Sequence, residues 1–287
     1  MIEIRFSRPG EEAAQKRLWQ EAFGDSDADI ALFYETCWRP EEMLLLLEDG
    51  IPVSMTALLP HTLSLPDGGE ASACYVYALA TARARRGMGF ARRLLAEADR
   101  LLRDRETDCL TVVPAQPSLH SFFASAGFQP CFSTCRAWFG RETIPAPAAG
   151  DRCTAAGPEE YGAARARCLT GTASVRYGER LLRFQQGMCR LSGGGLFRLT
   201  AGGAEGCAAA EYRDGGLLVL KELLLPPECL ERGLALLAQA LPAQEYEVRT
   251  SVPLPGWTRW EFGRIKWFDR DKEVRFGPAG YMGLGFD

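Results

Sequence analysis

Apolar positions along the 287-residue chain change period repeatedly, and each change marks an element. Residues 2–6 (IEIRF) alternate and predict a strand. Residues 11–23 place Ala14, Leu18, Trp19 and Ala22 at helical spacing, and residues 27–38 predict a second short helix with Asp25 or Ser26 as its N-cap. Two apolar runs, residues 43–48 and 53–59, flank Asp49-Gly50, a pair that supplies the positive φ angles of a tight hairpin turn. Residues 71–81 read as a further strand. Residues 88–103 form a long helix whose Ala91, Leu94, Leu95, Ala98, Leu101 and Leu102 make one apolar stripe. A short buried strand at 109–113 ends at Pro114, a short helix at 118–125 ends at Gly127, and residues 128–139 return as a strand.

Residues 143–150 (TIPAPAAG) combine two prolines with small residues and mark a linker. Beyond it lie helices over 158–169 and 178–190 and strand-like runs near 196–200, 206–212 and 216–225. A helix over 227–240, a strand over 246–252 and late strands near 264–268 and 281–286 follow. The expected organisation is a first domain over residues 1–142, a linker over 143–152 and a second domain over 153–287. The expected fold class is α/β, with a mixed central sheet flanked by helices in each domain.

Charge and composition narrow the function classes. Hydrophobic residues make up 47% and charged residues 24%, as in an ordinary globular protein. A net charge of −4 with a pI near 5.5 argues against a nucleic-acid binder and is compatible with a cationic substrate. Glu3 and Arg5 stand where a signal peptide needs its apolar core, and runs such as 43–47 and 217–220 are too short to cross a bilayer. The expectation is a cytoplasmic protein without a membrane partner. Ten cysteines are scattered through both halves. Cys131 and Cys135 lack the second pair that a zinc site needs, and His61 and His120 are the only histidines, so reduced thiols and no metal are expected. No feature of the sequence sets an oligomeric state.

The chemistry concentrates in CYVYALATARARRGMGFARRLLAEADRLL. An apolar strand ends near Thr81, an arginine-rich turn follows, and Arg86-Gly87-Met88-Gly89-Phe90-Ala91 runs into an amphipathic helix. The first turn of a helix leaves backbone N–H groups without intrahelical partners, and the macrodipole adds positive charge there. Gly87 and Gly89 carry no side chain to hold a diphosphate away from those amides, and Arg83, Arg85, Arg86, Arg92 and Arg93 surround them. A P-loop would need four residues between its glycines and then Lys-Ser/Thr. A dinucleotide fingerprint would need glycine where Arg92 stands. A purely structural glycine turn beside a solvated arginine face is the other reading of these residues.

The pattern Arg-x-x-Gly-x-Gly/Ala between strand and helix resembles the coenzyme A signature of the GNAT superfamily of N-acetyltransferases, matched here by Arg86, Gly89 and Ala91 without departure. ACYVYALAT resembles that family's preceding strand. DCLTVVPAQPSLHSFFASAGF resembles its next strand, connecting helix and the Gly-Phe that opens the last strand of the core. The resemblance covers residues 2–139. It implies acetyl-CoA as cosubstrate, held by Leu79, Ala80, Thr81, Arg86, Gly87, Met88, Gly89, Phe90, Ala91 and Gln116, and an amine of a small molecule or peptide as acceptor.

Direct attack of an amine on a thioester requires a neutral amine, hydrogen bonds to the developing oxyanion and a proton for the thiolate. Many family members place a tyrosine where this chain has Phe123, and phenylalanine donates no proton. Tyr77 and Tyr75, on one face of the strand, are the leading alternatives as acid, with Ser118, His120 and Ser121 behind them; Glu70 and His61 are candidate bases. The missing tyrosine keeps a non-catalytic acyl-CoA-binding or sensing protein open as the alternative.

The second half repeats the order strand, turn, strand, helix, strand, but has Leu225-Pro226-Pro227-Glu228 where the first has its glycine turn. It resembles a degenerate second GNAT-like domain without coenzyme A. The arrangement is similar to two-domain acetyltransferases related to the enhanced-intracellular-survival group. In that group the terminal carboxylate can enter the active site, which makes Asp287 a further catalytic candidate.

Overall fold

The structure, a computed structural model, describes residues 1–286. The chain divides into two compact units. The first comprises Met1–Leu63, Glu70–Pro130 and Gly263–Arg275; the second comprises Ser64–Gly69, Cys131–Phe262 and the chain from Phe276 onward.

In the first unit the chain runs β1 (Ile2–Phe6), α1 (Glu12–Phe23), α2 (Asp27–Thr36), β2 (Met43–Glu48), β3 (Ile51–Ser64), β4 (Glu70–Thr81), α3 (Phe90–Asp104), β5 (Cys109–Val112) and α4 (Leu119–Ser125). Ser26 caps α2 by accepting from the Asp29 amide at 3.2 Å. Asp49 and Gly50 take φ of 51° and 82°, the two positive angles of the hairpin turn joining β2 and β3. The strands lie in the order β1-β2-β3-β4-β5. β4 and β5 run parallel but pair only from Ala73–Cys109 to Tyr75–Thr111. Beyond Tyr75, β4 continues for six residues beside β3 but without β5. The apolar stripe of α3 (Phe90, Leu94, Leu95, Ala98, Leu102) packs on Leu44, Leu46, Val76, Leu110 and Val112 to form this unit's core.

In the second unit β6 (Gln129–Gly140), β7 (Arg152–Ala155), α5 (Pro158–Cys168), β8 (Ser174–Arg176), α6 (Glu179–Leu191), β9 (Gly195–Ala201), β10 (Ala204–Arg213), β11 (Leu217–Leu224), α7 (Leu230–Ala240) and β12 (Glu245–Thr250) follow. Their order is β6-β12-β11-β10-β9-β7, with β11 and β12 parallel from Leu217–Glu245 to Leu220–Val248. Leu230, Leu234 and Leu237 of α7 close over Leu218, Leu220, Tyr246 and Val248. The path β10-β11-α7-β12 repeats that of β3-β4-α3-β5. The last elements are β13 (Thr258–Trp267) and α8 (Arg270–Phe276).

Three expectations are corrected. The strand at 128–139 is not the last strand of the first core. Within the second unit β6 pairs antiparallel with β12, from Tyr246–Phe139 to Thr250–Cys135. Within the first unit the strand beside β5 is the end of β13, with Arg264 opposite Val112 and Trp267 opposite Cys109. That end is held by the Lys266–Asp99 ion pair, by Lys266 Nζ donating to the Ala126 carbonyl at 2.7 Å, and by the Phe268 amide donating to the Asp108 carbonyl at 2.7 Å. Alternation decides which face a side chain takes, not which neighbour a strand chooses.

Residues 281–286 do not form a strand either. Only Gly280 and Tyr281 make isolated bridges, because the carbonyls of Met282 and Leu284 accept from the Arg165 and Tyr177 side chains instead of a ladder. Finally, α7 begins three residues later than expected, after a single 3₁₀ turn at Pro227–Cys229.

Candidate functional site

The turn between β4 and α3 has the form its residues dictate. A 3₁₀ turn (Arg83–Arg85) leads to Gly87 at φ 79° and Gly89 at φ 78°, both left-handed, with nothing within 4 Å of where a Cβ would stand on either. Gly89 is the N-cap of α3 and offers no capping side chain. The first helical bond is Arg93 N–H to the Gly89 carbonyl at 3.0 Å. Among the described residues, the amides of Gly87, Met88, Gly89, Phe90 and Ala91 therefore donate to no acceptor, and residues 86–89 are exposed. Of the surrounding arginines, Arg85 pairs with Glu48 at 2.5 Å, Arg86 Nε donates to the Thr81 carbonyl at 3.3 Å and Arg92 donates to Ser125 Oγ at 3.0 Å. The Arg83 amide donates to the Glu21 carboxylate at 2.6 Å, while the Arg83 and Arg93 guanidinium groups make no ion pair among the described residues, so arginines outnumber the carboxylates held at the turn.

Upstream, β4 departs from regular strand geometry in a way the sequence did not signal. Ala78 sits at φ 50°, a left-handed conformation that alanine rarely adopts. The carbonyls on either side of it are taken up from β3. Thr56 Oγ1 donates to the Tyr77 carbonyl at 3.1 Å, and Ser54 Oγ donates to the Ala80 carbonyl at 2.7 Å. Both hydroxyls are fully buried. Leu79, Ala80 and Thr81 follow this break directly and lead into the glycine turn. Ser54 and Thr56, polar among the otherwise apolar residues 51–59 of β3, were the available hint.

Tyr75 is buried on β4, and its ring centroid lies 5.7 Å from that of Tyr77. Tyr77 is half-buried against Trp19 at 5.6 Å and Phe33 at 5.7 Å, so α1 and α2 build an aromatic wall beside it. Trp19 is fixed by an indole N–H bond to Asp25 at 2.7 Å.

On α4, Phe123 is a core residue, packed edge-on against Phe122 and Phe128. His120 Nδ1 lies 3.4 Å from Arg264, and Ser121 Oγ donates to the Ser118 carbonyl at 3.0 Å. Gln116 is exposed on the 114–118 loop. Glu70 is exposed at the start of β4, seven strand residues and so about 23 Å from Tyr77. Asp287 lies outside the described residues. Among the described residues no group of three or more His, Cys, Asp or Glu side chains could hold a metal ion, and no helix is long and apolar enough to cross a membrane.

His61 is buried between Leu59 and Thr111. Its Nδ1 faces the Leu59 carbonyl at 3.3 Å, which makes Nδ1 the protonated nitrogen and leaves Nε2 to accept from Thr111 Oγ1 at 3.3 Å. Burial pushes its pKa down to about 4, against the opposing carbonyl bond. An unfolded histidine takes its proton near pH 6.5, so between those values the unfolded chain binds the extra proton. Stability is full above about pH 6.5 and is lost as pH falls toward 4, by about 2 kcal/mol between pH 7 and pH 5. Urea unfolding at both pH values checks this: His61→Gln is expected to flatten the difference, and an unchanged difference contradicts it.

Residues 3–131 match the sequence model of the acetyltransferase (GNAT) domain. No curated protein matches the chain. Among solved structures, a GCN5-related N-acetyltransferase from Anabaena variabilis has TM-score 0.74 at 12% identity, over 94% of this chain and 73% of that one. Eis1 from Mycobacterium abscessus has TM-score 0.68 at 12% identity, over 94% of this chain and 74% of that one. A tandem GNAT protein from the clavulanic acid biosynthesis pathway has TM-score 0.54 at 15% identity, over 93% of this chain and 98% of that one. At these identities the likeness is one of fold. Residues 3–131 thus match the GNAT acetyltransferase domain model, and the chain has the fold of solved GNAT proteins, a tandem one among them.

Proposed function

We propose that the chain is an acetyl-CoA-dependent N-acetyltransferase acting on an amine of a small molecule or peptide. The observation that carries this reading is the run of five unpartnered amides from Gly87 to Ala91, opened by two left-handed glycines and flanked by unpaired arginines. The fit is chemical: main-chain donors, helix dipole and guanidinium charge all favour a diphosphate, and no side chain blocks its approach. Arg86, Gly87, Met88, Gly89, Phe90 and Ala91 would hold the pyrophosphate. Leu79, Ala80 and Thr81, beyond the break at Ala78, would hold the pantetheine arm, with Gln116 at the edge. Bound there, acetyl-CoA supplies an activated thioester.

The protein's own part is to align the acceptor, stabilise the oxyanion with main-chain amides of β4 near the break at Ala78, and give up a proton. Tyr77 is our choice for the acid, because it is half-buried beside the break; Tyr75 lies deeper. Phe123, turned into the core, cannot serve. The tail residue Asp287 stays a candidate base. The second half carries no cofactor in this reading, since Pro226 and Pro227 remove amides where the first half exposes them. Ten free thiols support a reducing compartment, the cytoplasm.

The buried Phe123 favours one second reading, an acyl-CoA-binding protein without turnover. Release of free thiol from acetyl-CoA over a panel of polyamines, aminoglycosides and peptides separates the two. Turnover that falls about a hundredfold in Tyr77→Phe, with acetyl-CoA affinity kept, supports the enzyme and its acid. Binding without thiol release for any acceptor supports the second reading.

A further inference from the structure

The second unit holds a cavity of about 260 Å³ where β11 parts from β12 beyond the Leu220–Val248 pair and α7 begins. Its floor is Leu223, Leu234 and Val248, all buried. Phe139 and Trp257 form a wall, their rings tilted with centroids 5.8 Å apart. By chain path this is the second unit's counterpart of the wedge between β4, β5 and α3, yet its chemistry is opposite. Two prolines stand where amides would face a phosphate, and the single charged lining residue is Glu231 in the first turn of α7. Glu231 is exposed and makes no ion pair or hydrogen bond among the described residues.

We propose that this cavity is a second ligand site, specific for a small organic cation with an apolar body, such as an aryl- or alkylammonium ion. The ammonium pairs with Glu231 and the apolar part enters between Trp257, Phe139 and the leucine floor. Aromatic faces attract a cation, whereas an anion meets a carboxylate and no donor amides. The volume falls just under the common range for ligand pockets, which selects a single ring or a short chain. The site is independent of acetyl-CoA binding.

Calorimetric titration of the full chain with 2-phenylethylammonium, 2-phenylethanol and 3-phenylpropionate tests it. The cation is expected to bind about tenfold tighter than the neutral alcohol, and the anion weakest. Glu231→Gln, an exposed residue without partners, is expected to erase the preference for the cation while keeping the alcohol, and Leu234→Phe to abolish both. An unchanged circular dichroism spectrum and a single cooperative urea transition show that each variant is folded. The proposal fails if the cation shows no saturable binding, if it binds no tighter than the alcohol, or if Glu231→Gln leaves its affinity intact. It also fails if sedimentation shows a dimer that Leu234→Phe dissolves, for then a second copy occupies the groove.

Discussion

Arg165→Met is expected to lower the unfolding free energy by about 3–5 kcal/mol, the range for leaving a buried charge without its partner. Arg165 of α5 is buried. Its Nε donates to Glu222 at 2.7 Å, and its two terminal nitrogens donate to the carbonyls of Val175 and Met282. The Tyr161 and Tyr281 hydroxyls donate to the same carboxylate, and Gly283 lies so close over it that a Cβ there would meet Glu222 Oε2. Burial works against the Arg165 charge, but Glu222 and the tyrosine oxygens around it raise its pKa on balance; burial first, and then Glu222, pushes both tyrosines up. One side chain thus neutralises a buried acid and pins the tail, and its loss strands both. Thermal unfolding should shift downward by on the order of 10 °C. Arg165→Met combined with Glu222→Leu should recover much of that loss, because the stranded carboxylate is gone. Equal melting temperatures for the wild type and Arg165→Met contradict the network's role.

The second large effect is on ligand binding. Gly87→Val with Gly89→Val is expected to weaken acetyl-CoA binding by at least about a hundredfold, the equivalent of two charge-assisted hydrogen bonds. Open space around both positions lets the side chains be accommodated by the folded chain, at a conformational cost of about 1–2 kcal/mol each. Those side chains would stand where the phosphates approach the amides. Arg86→Ala should weaken binding less, since it removes charge and leaves the amides open. Unchanged circular dichroism with a lost calorimetric signal is the expected result. An unchanged Kd in the folded double variant contradicts the assignment.

What could be read in the chain follows from how local each signal is. The glycine turn was legible because strand end, glycines and amphipathic helix lie within thirty consecutive residues. The α8 helix was legible too, though unread: Asp269 accepts from the amides of Asp271 and Lys272, an ordinary N-cap before a charged first turn. β7 and β8 span only four and three residues, too few to show a period. The exchange that sets the end of β13 beside β5 and β6 beside β12 was not legible, since any alternating strand fits either place. Ala78 gave no warning, because its positive φ comes from how β3 and β4 meet rather than from the residue itself. The tail read as a strand for its apolar pattern, yet its carbonyls are claimed by Arg165 and Tyr177, more than a hundred residues away.

Amide-resolved NMR of the isotopically labelled chain during titration with acetyl-CoA tests most directly whether the turn after β4 is the cofactor site. The largest saturable shifts should fall on the N–H groups of Gly87, Met88, Gly89, Phe90 and Ala91, with smaller ones at Leu79 and Ala80. Saturation with those five amides unmoved, or no binding at millimolar acetyl-CoA, contradicts it.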